Sequence, residues 1–174
     1  MHRYCFVCLL LSLLAACGQA REAATPGSAM PATVMAPLDE LTALCGEAGG
    51  TPHAENAVRR ADLNADGADD YILFVGWIWC ENAISIYGDR QKGLVVFAND
   101  GRGGAIEAFQ NIVFDAEIES ADGTPQLWLT TMAEQCGRPS AATFAEESFC
   151  RRPIVAVAPD RFEYAPLSTV RMIE

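Results

Sequence analysis

The sequence predicts an α+β fold, a mostly antiparallel β-sheet with one N-terminal helix. Three observations predict it. Residues 37–46 space Leu38, Leu41, Leu44 and Cys45 at helical intervals and end on Gly46, a residue that stops helices. Residues 71–79 are apolar on both faces: Tyr71, Leu73, Val75, Trp77 and Trp79 on one, Ile72, Phe74 and Ile78 on the other. That is the pattern of a central strand covered on both sides. Beyond it, short apolar runs alternate with turn chemistry such as Asn99-Asp100-Gly101 and Asp122-Gly123-Thr124-Pro125.

Taken in order, residues 58–61 form a short strand leading into an acidic loop, and 93–98 (Gly93, Leu94, Val95, Val96, Phe97, Ala98) form another strand. Gly101-Arg102-Gly103-Gly104 lacks a following lysine, so it is a hairpin turn and not a phosphate loop. Residues 106–119 alternate around Ile112, Phe114 and Ile118 as one strand or a bent pair, and residues 126–131 follow the next turn. Residues 154–157 and 162–164 pair as a terminal hairpin across Ala158-Pro159-Asp160-Arg161.

The N-terminus sets the compartment. His2 and Arg3 precede an apolar run, residues 4–16, too short to span a bilayer as a helix and of signal-peptide length. An ordinary secretory signal cut a few residues later, after Ala20, is one reading. The ending Leu14-Ala15-Ala16-Cys17 resembles the lipobox of bacterial lipoprotein signals. That resemblance implies a signal peptide at 1–16 and a lipid on Cys17, which anchors the chain to a membrane of the cell envelope. Gly18, in place of an aspartate, implies the outer membrane. Residues 17–36, rich in Ala, Pro, Thr, Ser and Gly, read as a flexible tether. Residues 37–174 remain as a single globular domain.

The chain has 7 cysteines and a formal charge of -11. Arg3 is the only charged residue of the leader, so cleavage makes the charge one unit more negative. This acidity argues against nucleic acid as a partner. Cys5 and Cys8 leave with the leader, and Cys45, Cys80, Cys136 and Cys150 remain in a small exported domain. Four such cysteines imply two disulfides with three possible connectivities. Cys45–Cys80 with Cys136–Cys150 is favoured because both close local loops. None of the four has Cys-x-x-Cys spacing, which disfavours zinc and redox catalysis.

The acidic loop carries the clearest chemistry. Asp62, Asn64, Asp66 and Asp70 occupy positions 1, 3, 5 and 9, with Gly67 at 6. A hard cation such as Ca²⁺ takes six to eight oxygen ligands at about 2.3–2.6 Å, and the Ala68 carbonyl adds one to these side chains. A metal-free Asp/Asn/Gly turn is the plainer alternative. A true EF-hand is excluded, because position 12 is Leu73 and a strand follows instead of a helix. The segment ADLNADGADDYILFVG, residues 61–76, resembles the calcium loop of FG-GAP and VCBS-type repeats. That resemblance implies Ca²⁺ held by Asp62, Asn64, Asp66, Ala68 and Asp70. It covers one unit, whereas a propeller closes from at least four blades.

Catalytic signals are weak. His53, the one histidine outside the leader, lies in a loop-like run with no Gly-x-Ser-x-Gly nearby. Glu134, Glu146 and Glu147 have no distinguishing context. Trp77, Trp79 and Trp128 are large enough to anchor a ligand, but the two-sided apolar pattern favours core packing. The expected function is a non-catalytic envelope lipoprotein with a structural Ca²⁺ loop, binding a protein or a glycan. The alternative is an envelope hydrolase or hydrolase inhibitor, with the loop closed by Cys136 and Cys150 as the inhibitory segment.

Overall fold

The computed structural model describes residues 29–173. Residues 1–28, which carry the expected signal peptide, Cys17 and the first part of the expected tether, lie outside the described residues. Among the described residues, no helix is long and apolar enough to cross a membrane.

Helix α1 spans Ala32–Glu47. The strands are β1 (Thr51–His53), β2 (Val58–Ala61), β3 (Asp70–Phe74), β4 (Trp79–Glu81), β5 (Lys92–Asn99) and β6 (Ala105–Val113), then β7 (Asp115–Ala121), β8 (Thr124–Met132), β9 (Phe149–Ala158), β10 (Arg161–Tyr164) and β11 (Arg171–Met172). One sheet has the order β2-β3-β5-β6 and a second the order β10-β9-β8-β7. β11 joins β9 on the edge that β10 also uses, and β1 pairs with β4 in a separate ribbon. Every pairing is antiparallel. The α+β class with one N-terminal helix holds.

The two sheets face each other. Ile72, Leu94 and Val96 from the first meet Leu127, Leu129 and Ile154 from the second in one buried cluster. The outer face of the first sheet lies under α1, where Val34 packs with Tyr71, Leu73 and Phe97. β3 is therefore buried along its whole length: its even-numbered apolar residues face the second sheet and its odd-numbered ones face the helix.

That central strand is shorter than the expected 71–79. It ends at Phe74, and residues 75–77 form a 3₁₀ turn closed by the Ile78 amide on the Val75 carbonyl, 3.1 Å. At Gly76 the backbone rests on the Phe74 ring, where a Cβ would come within 2.4 Å of Cε1. The chain then leaves the sheet as β4 to pair with β1, and Cys80 of β4 is bonded to Cys45 of α1. A two-faced apolar pattern cannot separate this exit from continued sheet.

The helix also begins earlier than residue 37. Val34 is fully buried and continues the stripe of Leu38, Leu41 and Cys45 one turn N-terminally. Pro37 lies in the second turn, not at the helix start, so residues 32–36 belong to the domain and not to the tether. The alternation over 106–119 resolves as a bent pair: β6 belongs to the first sheet, β7 to the second, and the switch falls at Phe114. Thr124 and Pro125 belong to β8. The turn before it is Asp122-Gly123, with φ of 52° and 82°, the backbone that suits a two-residue hairpin.

Both favoured disulfides are present, Cys45–Cys80 and Cys136–Cys150. The C-terminal strand is held by ion pairs. Arg171 reaches Glu119 at 2.9 Å and stacks 3.6 Å above the Trp128 ring, while Arg151 reaches Glu119 at 2.8 Å and Glu117 at 2.8 Å. Partial burial pushes the Glu119 carboxyl up, but the Arg171 and Arg151 guanidiniums outweigh it and hold the pKa below the ordinary value. A carboxylate with a depressed folded-state pKa adds stability above its unfolded pKa and loses it as pH falls through the folded one. Glu119→Gln is therefore expected to cost about 0.5–1 kcal/mol at neutral pH, the scale of a partly exposed ion-pair network. The difference from the parent should begin to shrink in urea unfolding once pH falls below the unfolded glutamate value of about 4.3, and vanish only when pH has passed the depressed folded one. An equal cost at all pH values would mean that charge is not the cause.

Candidate metal centre

β2 and β3 pair as far as Ala61 opposite Asp70, so residues 62–69 form a closed loop at one end of the first sheet. Ala65 (φ 58°) and Gly67 (φ 87°) supply the left-handed turns that curl it inward. The oxygen-bearing side chains wrap the loop's own amides. Asp62 accepts from the Asp66 amide at 3.1 Å and from the Gly67 amide at 2.9 Å. Asn64 Oδ1 accepts from the Asp66 amide at 3.0 Å, and Asp66 Oδ1 from the Ala68 amide at 2.8 Å. Four of the five expected ligand residues, Asp62, Asn64, Asp66 and Ala68, thus meet in one hydrogen-bonded turn.

Asp70 is the fifth, at the root of the loop and fully buried. Its Oδ1 accepts from the Asn99 amide and its Oδ2 from the Leu63 amide, each at 3.1 Å. Burial pushes its pKa up to about 6; the Asn99 and Leu63 amides pull it down, and the charges of Asp66 and Asp62 raise it further. Hard oxygen donors around mutually repelling carboxylates suit Ca²⁺, and a divalent cation offsets that repulsion. Among the described residues, no group of three or more His, Cys, Asp or Glu side chains stands at metal-ligand spacing. The carboxylates of Asp62 and Asp66 are turned onto amides instead.

Two contacts tie the loop to distant strands. Asn64 Nδ2 donates to the Pro159 carbonyl at 3.1 Å, in the turn between β9 and β10 of the second sheet. Asn99 at the end of β5 donates its side-chain amide to the Asp69 carbonyl at 3.3 Å. The loop thus joins the two sheets at one end. A cavity of about 310 Å³ lies beside it, between Asn64 and Ala65 of the loop and Pro125 and Val155 of the second sheet.

The other candidates separate. His53 is on β1 and not in a loop; it is exposed and 3.4 Å from Glu81. It lines neither this cavity nor the larger one under α1. The three tryptophans part company: Trp128 is 4% exposed, Trp77 is half-buried against Phe74 with Arg59 over its ring, and Trp79 is 55% exposed. Core packing thus fails for Trp79, because β4 has left the sheet. The segment closed by Cys136–Cys150 is exposed over residues 137–140 and 142–146. Glu147, which showed no signal in sequence, fastens that segment by accepting from the amides of Ala133, Ala141 and Ser148.

No protein-family model, no curated protein and no solved structure matches this chain.

Proposed function

We propose that this chain is a calcium-braced, non-catalytic binding module of the bacterial cell envelope, lipid-anchored through Cys17 at the outer membrane, with a protein or glycan as partner. The lipobox-like Leu14-Ala15-Ala16-Cys17 and the two disulfides support an exported, anchored chain. The local resemblance of residues 61–76 to FG-GAP and VCBS-type loops supports the ion.

The observation that carries the reading is the closed loop around Asp70. A buried carboxylate at the head of the central strand sits beside Asp62 and Asp66, in a loop whose Asn64 holds the other sheet. Bound Ca²⁺ supplies positive charge and accepts oxygen ligands. Asp62, Asn64, Asp66, the Ala68 carbonyl and Asp70 would hold it, and the contacts of Asn64 with Pro159 and of Asn99 with Asp69 fix the end of the sandwich at which the cavity of about 310 Å³ opens.

The test is thermal and urea unfolding of the oxidised chain without its leader, in Ca²⁺, Mg²⁺ or EDTA. A truncation at Ala36 would cut α1, so the chain must start before Ala32. An extracellular site with Kd of roughly 10⁻⁴–10⁻³ M gains about 1.4–2.7 kcal/mol at ~10 mM Ca²⁺. That gain is expected with Ca²⁺, to a lesser degree with Mg²⁺, and not in Asp66→Ala. An equal shift in Asp66→Ala, or no shift in the parent, removes the ion from the reading.

A further inference from the structure

We propose that the groove between α1 and the outer face of the first sheet binds a small amphiphile with an apolar body and a protonated amine. The proposal does not rest on the calcium loop, which lies in a different part of the fold.

The groove has a volume of about 560 Å³, within the range of small-ligand sites. Pro37, Leu41 and Leu44 of α1 form one wall, and Leu73, Val75 and Val95 form the other. Its depth comes from Gly93 on β5. Gly93 alternates with the inward-facing Leu94, so it lies on the outer face, opposite Ile112 of β6. Neither crowding nor conformation requires glycine there. A Cβ would meet only Val75 Cγ2, at an ordinary 3.6 Å, and φ is not in the left-handed region. Glycine inside a strand weakens it and often marks the close approach of something else. Ile112 beside it is 59% exposed and Leu44 on the helix 41%, so the apolar lining continues to the mouth.

The gap does not close by the helix settling, because α1 is pinned along its length. Thr33 Oγ1 donates to the Ala105 carbonyl at 2.9 Å, Tyr87 Oη donates to the Leu41 carbonyl at 2.8 Å, and Cys45 is bonded to Cys80.

Charge selects the ligand. Glu40 and Glu47 line the groove from the exposed side of α1, and no lysine or arginine is among the described residues that line it. The last turn of α1 has no basic residue, so the negative end of the helix dipole and Glu47 act together on an incoming cation. Lys92, next to Gly93, has its ammonium drawn to the carbonyls of Tyr87 and Gly88. An apolar floor under an acidic rim fits an alkyl or aryl ammonium and opposes a fatty acid of the same size.

The experiment is calorimetric titration of the oxidised chain without its leader, using decylammonium, decanol and decanoate below their micellar concentrations. Saturable single-site binding of decylammonium is expected, about tenfold tighter than decanoate, with decanol between them. Gly93→Leu fills the floor and should abolish binding of all three without lowering the melting temperature. Glu40→Gln with Glu47→Gln should keep decanol binding and remove the preference for the ammonium; this pair decides the question should Gly93→Leu fail to fold. Equal affinity for decanoate, undiminished binding in Gly93→Leu, or no saturable binding in the parent overturns the proposal.

Discussion

Cys45→Ala with Cys80→Ala is expected to lower stability by about 4 kcal/mol, the chain-entropy value for a closed loop of this length. The bond spans 35 residues and ties the end of α1 to the β1–β4 ribbon. The ribbon is two three-residue strands, which have little stability of their own in water. The local structure is built around the sulfurs: a Cβ at Gly50 would fall 2.5 Å from Cys80 Sγ and 2.7 Å from the Glu81 carbonyl oxygen. The urea midpoint should drop accordingly, and amide exchange at Thr51, His53 and residues 79–81 should approach that of unstructured chain while β3 and β5 remain protected. A loss under about 1 kcal/mol, with the ribbon still protected, would show that packing and not the bond holds the ribbon. The bond Cys136–Cys150 closes only 14 residues, and the same reasoning gives it about 3 kcal/mol.

Phe74→Ala should cost about 3–5 kcal/mol, whereas Trp79→Ala should change stability by less than about 0.5 kcal/mol. Phe74 is 2% exposed, meets Trp77 edge-on at 5.4 Å and supports Gly76 on its ring. Its removal leaves a cavity between the two sheets and frees the turn that directs the chain out of β3. Trp79 is larger but 55% exposed, so its truncation returns little surface to water. Urea unfolding of the two variants at matched slope checks both values. Comparable losses would mean that β4 packs as a continuation of the central strand.

These two residues show where sequence reasoning reaches and where it stops. Both lie in one apolar run, and its two-faced pattern predicts core packing for each, which holds for Phe74 and not for Trp79. It carried no information about the departure at Gly76, which depends on a ring packed against a backbone and on a disulfide to a helix 35 residues away. The candidate metal loop is the opposite case. Its Asp, Asn and Gly positions are local, their oxygens reach amides two to five residues off, and the spacing alone identified them. What spacing did not identify is what the loop holds on to: Asn99, 29 residues from Asp70, and the Pro159 carbonyl, 95 residues from Asn64. A backbone carbonyl has no sequence signature at all. Glu147 has no sequence context for a related reason, since its partners are backbone amides that any residue provides.

By itself the sequence determined the class of the fold, the two covered faces of residues 71–74, the presence of two disulfides and the Asp and Asn positions of the acidic loop. Each follows from side-chain chemistry read over a few neighbouring positions. The tertiary structure alone decided that α1 starts at Ala32, that residues 105–121 divide between two sheets at Phe114, and that Gly93 lies under a pinned helix where a groove stays open. Those outcomes depend on which strands pair and which faces meet. Pairing is made by backbone groups common to every residue, so side-chain pattern constrains which face is buried and leaves the partner to the packing of the whole chain.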